Sequence, residues 1–386
     1  MTEAVTRFEA LLSAPGRSLL DRLAAERVTA GSALRLNAAL RREYPAELIA
    51  SALAQHELRL LAAEKFSRAA EMFFTRPGLE QASSEATAGH RARRFDRFAD
   101  VADLCTGIGG DLIALARQRP VLGVDVDPLH LRMAQLNTRA YGAEARLLEA
   151  DARDVDLAGI DAVFVDPARR VEGGRRLGPG RSEPELDWCF GLAEHVPHIG
   201  IKAAPGLPRE LVPSGWEIEF IAVDRDLKEA ALWSPALATA TRRATILPGG
   251  HVLLPDPGPD VDVRVPGEFL YDPSPAVTRA GLVQELARTL GAWQIDERIA
   301  FLSTDAEVQS PFARTLRVIA SLPWHHKALA QSLRALDIGA VDIRRRGLAG
   351  NVDDIRRRLK LRGSRKATLV MTRVRNEPWA VVCVDP

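Results

Sequence analysis

Cysteine is scarce in this chain of 386 residues. Only Cys105, Cys189 and Cys383 occur, far apart and without a CxxC pair. That spacing excludes a disulfide framework and a zinc-ribbon type of site, and predicts a reducing compartment with the cytoplasm as the expected location. Long apolar runs are missing too: none approaches the ~20 residues of a membrane span, and the opening MTEAVTRFEALL lacks the basic-then-apolar order of a secretory leader. A soluble protein with no membrane partner is expected. Charge of one sign is absent as well. With 52 Lys and Arg against 51 Asp and Glu the formal net charge is +1, so any nucleic-acid footprint has to be local. His195 and His198 share a helical spacing, but no cluster of carboxylates or thiols accompanies them and no metal is expected. No nucleophile elbow occurs, which sets hydrolase chemistry aside.

What is present is enough chain for two or three domains, with 46% hydrophobic residues to fill their cores. Residues 1–76 are rich in Ala, Leu, Arg and Glu, and apolar residues such as Phe8, Leu11 and Leu12 recur at helical spacing. This predicts a helical N-terminal domain, either a substrate platform or packing that covers one end of a catalytic sheet. A polar entry segment follows, with Gln81, Ser83 and Ser84 leading into a helix from about Glu85. Residues 77–250 then alternate short apolar runs with amphipathic stretches, which predicts a doubly wound α/β domain. Proline and glycine crowd Leu254 to Gly267 and mark a boundary. Beyond it, residues 268–386 read as a small α+β domain with a basic concentration from Arg344 to Lys366.

The chain is organised around Val101 to Asp127, VADLCTGIGGDLIALARQRPVLGVDVD: an apolar run, a turn through Gly107, Gly109 and Gly110, a helix from Asp111, and a second apolar run ending in acids. Glycines belong where a strand hands over sharply to a helix and where backbone approaches a ligand, and a carboxylate ending the second strand, Asp125 or Asp127, lies where ribose hydroxyls are bound. A nucleoside cofactor is expected. The dinucleotide fingerprint is absent, since Leu112 stands where GxGxxG needs its last glycine. Further on, the turn after Leu148 carries Asp151, and the run Asp161-Ala-Val-Phe-Val ends at Asp166-Pro167, which points a carboxylate out of the carboxyl edge of a parallel sheet. After it, glycines 173, 174, 178 and 180 interleave with Arg175, Arg176 and Arg181, a cationic loop suited to a phosphate-bearing substrate.

These motifs, in this order, resemble class I S-adenosylmethionine-dependent methyltransferases, and Asp103-Leu-Cys-Thr-Gly-Ile-Gly-Gly-Asp111 behind a helical extension is similar to the trimethylguanosine synthase group. The C-terminal part resembles THUMP, an RNA-binding module. The resemblance implies a Rossmann-like domain that binds S-adenosylmethionine through Asp103, Cys105, Thr106, Gly107, Gly109, Gly110 and Asp111. It adds Asp125, Val126 and Asp127 near the ribose, Asp151 and Ala152 near the adenine, Asp166, and Gln81 and Ser83 from the entry segment. It implies RNA as substrate, with Asp166, Pro167 and Arg169 as catalytic candidates and Phe164, Trp188 or Trp233 as stacking candidates. Amino-methylating relatives carry Pro-Pro and an aromatic ring after the first residue of this motif, where this chain has Pro167-Ala168-Arg169. Asp-Pro-Ala-Arg is similar to uracil-5-methylating enzymes, but those need a cysteine after the fifth strand, where Lys202-Ala203-Ala204-Pro205 stands. Transfer to a base nitrogen is therefore favoured over covalent C5 chemistry. Two other readings stay open: an RNA-binding or regulatory protein with a degenerate methyltransferase domain, and a small-molecule methyltransferase.

Overall fold

The computed structural model describes residues 3–25, 39–168, 182–348 and 352–386. The chain divides into two compact units, Met1–Glu217 with Ala230–Thr239, and Ile218–Glu229 with Ala240–Pro386.

The first unit opens with helices. In α1 (Glu3–Leu12) the buried residues Val5, Phe8 and Leu11 fall three apart and so share one face. Pro15 occupies the first turn of α2 (Ala14–Ala25), where its missing N–H costs no helix bond. Along α3 (Ala46–Ala62), Leu48, Ile49, Ala52 and Leu58 are buried. These residues form one core with Phe66, Met72, Phe73 and Phe74, and with Ile108, Ile113 and Met133 from the glycine-motif region. The helices thus share a core with the α/β layer. Two buried amides fix the chain between them. Gln55 accepts the Phe74 N–H at 3.0 Å, while Asn137 accepts the Phe73 N–H at 2.8 Å and donates to the Ile108 carbonyl at 2.9 Å. Lys65 donates to the carbonyls of Leu79 and Ala82, at 2.7 and 3.0 Å, and so caps the end of α4 (Arg76–Gln81). The entry segment that sequence reading made a loop up to Ser84 therefore contains a short helix, started by Thr75, whose hydroxyl accepts the Gly78 N–H. Helix α5 (Glu85–Ala92) follows, capped by Ser84.

The sheet of this unit is built from β1 (Val101–Leu104), β2 (Val121–Asp125), β3 (Ala145–Glu149), β4 (Ala162–Val165) and β5 (His198–Ala203). Between them run α6 (Gly110–Leu115), α7 (Pro128–Ala140) and α8 (Leu186–Gly191). Next come β6 (Glu217–Val223) and β7 (Asp226–Trp233). The strand order in the first unit is β3-β2-β1-β4-β5-β7. The first five are parallel, with Leu104 opposite Val124 and Val165, and β7 is antiparallel to β5 with Gly200 opposite Trp233. Strands buried on both faces need apolar residues, as the fully buried β4 shows along its whole length, while the fully buried β1 departs from this at Asp103. Phe164 and Trp233, two of the stacking candidates, are 1% and 0% exposed and pack on Phe95 in this core, so neither is available to a substrate base. Trp188 lies half-buried on α8.

In the second unit β6 pairs in parallel with β8 (Arg242–Leu247), and β8 is antiparallel to β9 (His251–Leu253). Beyond Gly267 come β10 (Phe269–Pro273), α9 (Pro275–Ala280), α10 (Val283–Leu290), β11 (Trp293–Asp296) and β12 (Ile299–Thr304). The chain ends with β13 (Ala313–Pro323), α11 (His326–Ala335), β14 (Ile338–Arg345), α12 (Val352–Leu359), β15 (Arg365–Val374) and β16 (Glu377–Val384). The seven strands from β10 onward form a sheet in the order β11-β12-β10-β13-β16-β15-β14. Along β15, Leu369 and Met371 enter one core with Leu329 and Leu333 of α11, and Val370 and Val374 enter another with Leu270 and Phe301. Both faces are covered, which is why this strand shows no polar alternation. Helices α9 and α10 are separate because Gly281 takes a left-handed φ of 68° and ends the first.

Candidate active site

The carboxyl ends of β1, β2 and β4 open on a cavity of about 380 Å³. Parallel register brings their acids together: Asp103 near the end of β1, Asp125 at the end of β2, and Asp166 one residue past β4 all line it. The turn after β1 supplies Cys105, Thr106, Gly107 and Gly110, and the turn after β2 supplies Val126 and Asp127. From the entry segment come Gln81 and Ser83, and Pro167 follows Asp166 at the rim. Most of the site residues read from sequence therefore meet in one place.

Gly109 does not line it. Its φ is 90°, and a Cβ there would fall 3.2 Å from the Ala134 Cα, so this glycine serves the contact between the turn and α7. Asp151 and Ala152 also lie outside the lining. The Asp151 carboxylate is taken by Arg153, through Nε at 2.9 Å and Nη2 at 2.6 Å, which holds its pKa below the ordinary range, and Ala152 is buried. Arg169 and the cationic stretch to Arg181 lie outside the described residues. His198 stacks on Phe98 with centroids 4.3 Å apart, and among the described residues no group of three His, Cys, Asp or Glu side chains is placed to hold a metal ion.

The acids play different parts. Asp125 accepts the Gly107 N–H on Oδ2 at 2.7 Å and the Asp127 N–H on Oδ1 at 2.9 Å, so each oxygen keeps a lone pair for a ligand. Asp127 caps α7 by accepting the Leu129 N–H at 2.8 Å. Asp111 is buried, and it accepts Ser83 Oγ on one oxygen at 2.8 Å and Arg91 on the other. Burial pushes its carboxyl up, but the charges of Arg91 and Lys202 prevail and hold it below the ordinary range. Ser83 and Asp111 thus fasten the entry segment to α6 as well as facing the cavity.

Asp103 is the reverse case. Burial first, and then the negative charge of Asp111, push its carboxyl well above the ordinary carboxylate range, against a hydrogen bond from Thr106. Its Oδ1 is buried with no protein partner among the described residues. S-adenosylmethionine, the cofactor implied by the motif resemblance, offers an ammonium group, ribose hydroxyls and an adenine ring. The residues fit it: an unpartnered acceptor at Asp103, free lone pairs at Asp125, and Val126 with 64% of its surface exposed beside them. At Gly107 an added Cβ would enter open space.

A raised folded-state pKa means that the proton stabilises the folded form. The contribution is full below the unfolded value of about 3.9 and lost as pH rises through the folded value, so the burial of Asp103 weakens the cofactor-free fold at neutral pH relative to acid. Asp103→Asn is expected to raise the melting temperature of the cofactor-free protein at pH 7 by about 2 °C or more. The same substitution should lower S-adenosylhomocysteine affinity by about tenfold or more through loss of a charge-assisted contact. Calorimetry and titration read the two effects, and a lower melting temperature with preserved affinity would contradict this role for Asp103.

Sequence reading missed several lining residues. Gly78 comes from the entry helix, Ala82 from the residue just past its end, and Ile108 from the glycine turn. His130 hydrogen-bonds Thr75 through Nε2 at 3.2 Å, and its position three residues after Asp127 on a helix was the available signal. Lys202 is not among the lining residues, but its Nζ lies 2.6 Å from Oδ2 of Asp166, which is.

Comparison with known proteins bears on the family. A family profile described as RNA cap guanine-N2 methyltransferase matches residues 99–156, one described as THUMP domain-like matches 313–384, and one for a domain of unknown function matches 4–62. An otherwise uncharacterised S-adenosylmethionine-dependent methyltransferase of Mycobacterium tuberculosis H37Rv is 40% identical over 324 residues, covering 79% of this chain and 85% of the relative. A tRNA (uracil(54)-C(5))-methyltransferase of Pyrococcus furiosus is 34% identical over 77 residues, 20% of this chain and 19% of the relative. Among solved structures, a protein of Porphyromonas gingivalis W83 provisionally described as a methyltransferase superposes with a TM-score of 0.72 at 21% identity, covering 88% of this chain and 91% of that one, a likeness of fold. With a relative of this identity and extent, the chain belongs to the S-adenosylmethionine-dependent methyltransferases.

Proposed function

We propose that this methyltransferase acts on RNA and delivers the methyl group to an exocyclic nitrogen of a base. The observation that carries the reading is Asp166-Pro167 at the end of β4, a carboxylate followed by a backbone carbonyl at the rim of the cofactor cavity. Two adjacent acceptors suit an amine with two N–H donors. When bound, the cofactor supplies an electrophilic methyl group on a good leaving group. Positioning then carries most of the rate, and Asp166 would hold the amine and receive its proton as the bond forms. The C5 route needs a cysteine nucleophile; β5 ends in Lys202-Ala203, and the Cys105 and Cys189 thiols are pushed up by burial and remain protonated.

RNA as the partner rests on the match to an RNA cap methyltransferase profile, on the THUMP-like match, and on the basic C-terminal part. There β14 is an edge strand with Arg344 and Arg345 exposed, and Arg358, Lys360, Arg362 and Lys366 are exposed nearby in sequence. Some of this charge is balanced locally, as in Arg344–Asp342 and Arg356–Asp353. The test is transfer of tritium from labelled S-adenosylmethionine to total cellular RNA. The expected product is sensitive to ribonuclease and resistant to protease, and its yield falls steeply with added salt. Label that survives ribonuclease would remove RNA as the substrate.

A further inference from the structure

Lys202 occupies the penultimate position of β5 between Ile201 and Ala203, which are 0% and 5% exposed, and its own side chain is 4% exposed. A cation in such a place is costly unless it is paired. Its Nζ donates to Asp166 Oδ2 at 2.6 Å and to the Gln81 carbonyl at 3.3 Å. One side chain therefore joins the rim carboxylate to the last residue of the entry helix. Among the described residues no protein donor meets the other oxygen, Oδ1. The other carboxylates lining the cavity are Asp103, Asp111, Asp125 and Asp127, and Arg91, paired with Asp111, is the second buried cation set against them.

We propose that Lys202 is the positioning residue of this site: it commits one Asp166 oxygen to the ammonium, leaves the other for the methyl acceptor, and balances the negative charge of the cavity. The inference rests on the reading of Asp166 as the rim group and goes beyond it in a separable way. The methyl donor carries a sulfonium charge and its spent product does not, while the two are otherwise alike. The ratio of their affinities therefore reports the charge of the cavity, which damage to the fold would not shift in a set direction.

The experiment titrates the full chain with S-adenosylmethionine and with S-adenosylhomocysteine. Lys202→Met leaves Asp166 unbalanced, and the preference for the cationic donor should rise about three- to tenfold. Asp166→Asn leaves the ammonium unbalanced, and the preference should fall by a similar factor. The double variant should return to within about twofold of wild type, as expected of two groups that act as a pair. If Lys202→Met does not fold, the fall in Asp166→Asn carries the test alone. Ratios that stay at the wild-type value in the folded variants overturn the assignment. If they do so while Asp166→Asn has lost turnover, the proposed function stands without Lys202; if turnover is also intact, both fall.

Discussion

Replacing Asp125 by alanine is expected to lower S-adenosylhomocysteine affinity about a hundredfold or more in a protein that still folds. The carboxylate has two tasks. It would accept the ribose hydroxyls of the cofactor, and it accepts the Gly107 and Asp127 N–H groups that hold the turns on either side of the cavity. Hydrogen bonds to a charged group contribute about 1.5–3 kcal/mol each, and two of them lost together correspond to roughly that factor. The turn at Cys105 has little reserve to compensate. Cys105 itself takes a left-handed φ of 63°, a conformation that side chains adopt at a cost, so the turn depends on the contacts that over-determine it. Isothermal titration gives the answer directly. A loss smaller than about tenfold would mean that the cofactor is held elsewhere.

The second large effect is expected at the rim. Asp166→Asn should reduce methyl transfer about a thousandfold, while S-adenosylhomocysteine, which carries no sulfonium charge, binds within about threefold of its wild-type affinity. Asparagine keeps the shape and one acceptor but cannot take a proton, and it removes the charge that Lys202 pairs with. An unaffected rate would assign the proton to water and reduce Asp166 to a structural partner of Lys202. A collapse of cofactor binding in step with the rate would instead place Asp166 in the cofactor site alone.

Much of this site was legible in the sequence because its residues are set by local constraints. Asp103, the Gly107–Gly110 turn, Asp125 and the Asp166-Pro167 pair each sit at the end of a short apolar run, and parallel pairing gathers such ends at one edge. The residues that escaped notice depend on contacts distant in sequence. Lys202 matters through a neighbour 36 positions away, and the entry helix is held by Lys65, Gln55 and Asn137 from other parts of the unit. Gly109 was read as a cofactor glycine because a glycine run does not say which member faces a ligand and which faces a helix. Asp151 was placed by its position after β3, and the sequence neighbour that takes its carboxylate, Arg153, was in plain view. The strands β7, β9, β10, β11 and β12 went unseen because they are short or mixed in polarity, and they are fixed by sheet partners rather than by propensity. Phe164 and Trp233 show the same limit: an aromatic ring near a motif is as readily core as ligand contact.

The central claim, methyl transfer from this cavity to an exocyclic base nitrogen of RNA, is tested most directly by product analysis. The protein is incubated with trideuteromethyl S-adenosylmethionine and total RNA, the RNA is digested to nucleosides, and the labelled nucleoside is identified by mass spectrometry. The expected result is label on an exocyclic nitrogen, with about a thousandfold less formed by Asp166→Asn. Label on a pyrimidine C5, or label found only outside the nucleosides, would contradict it.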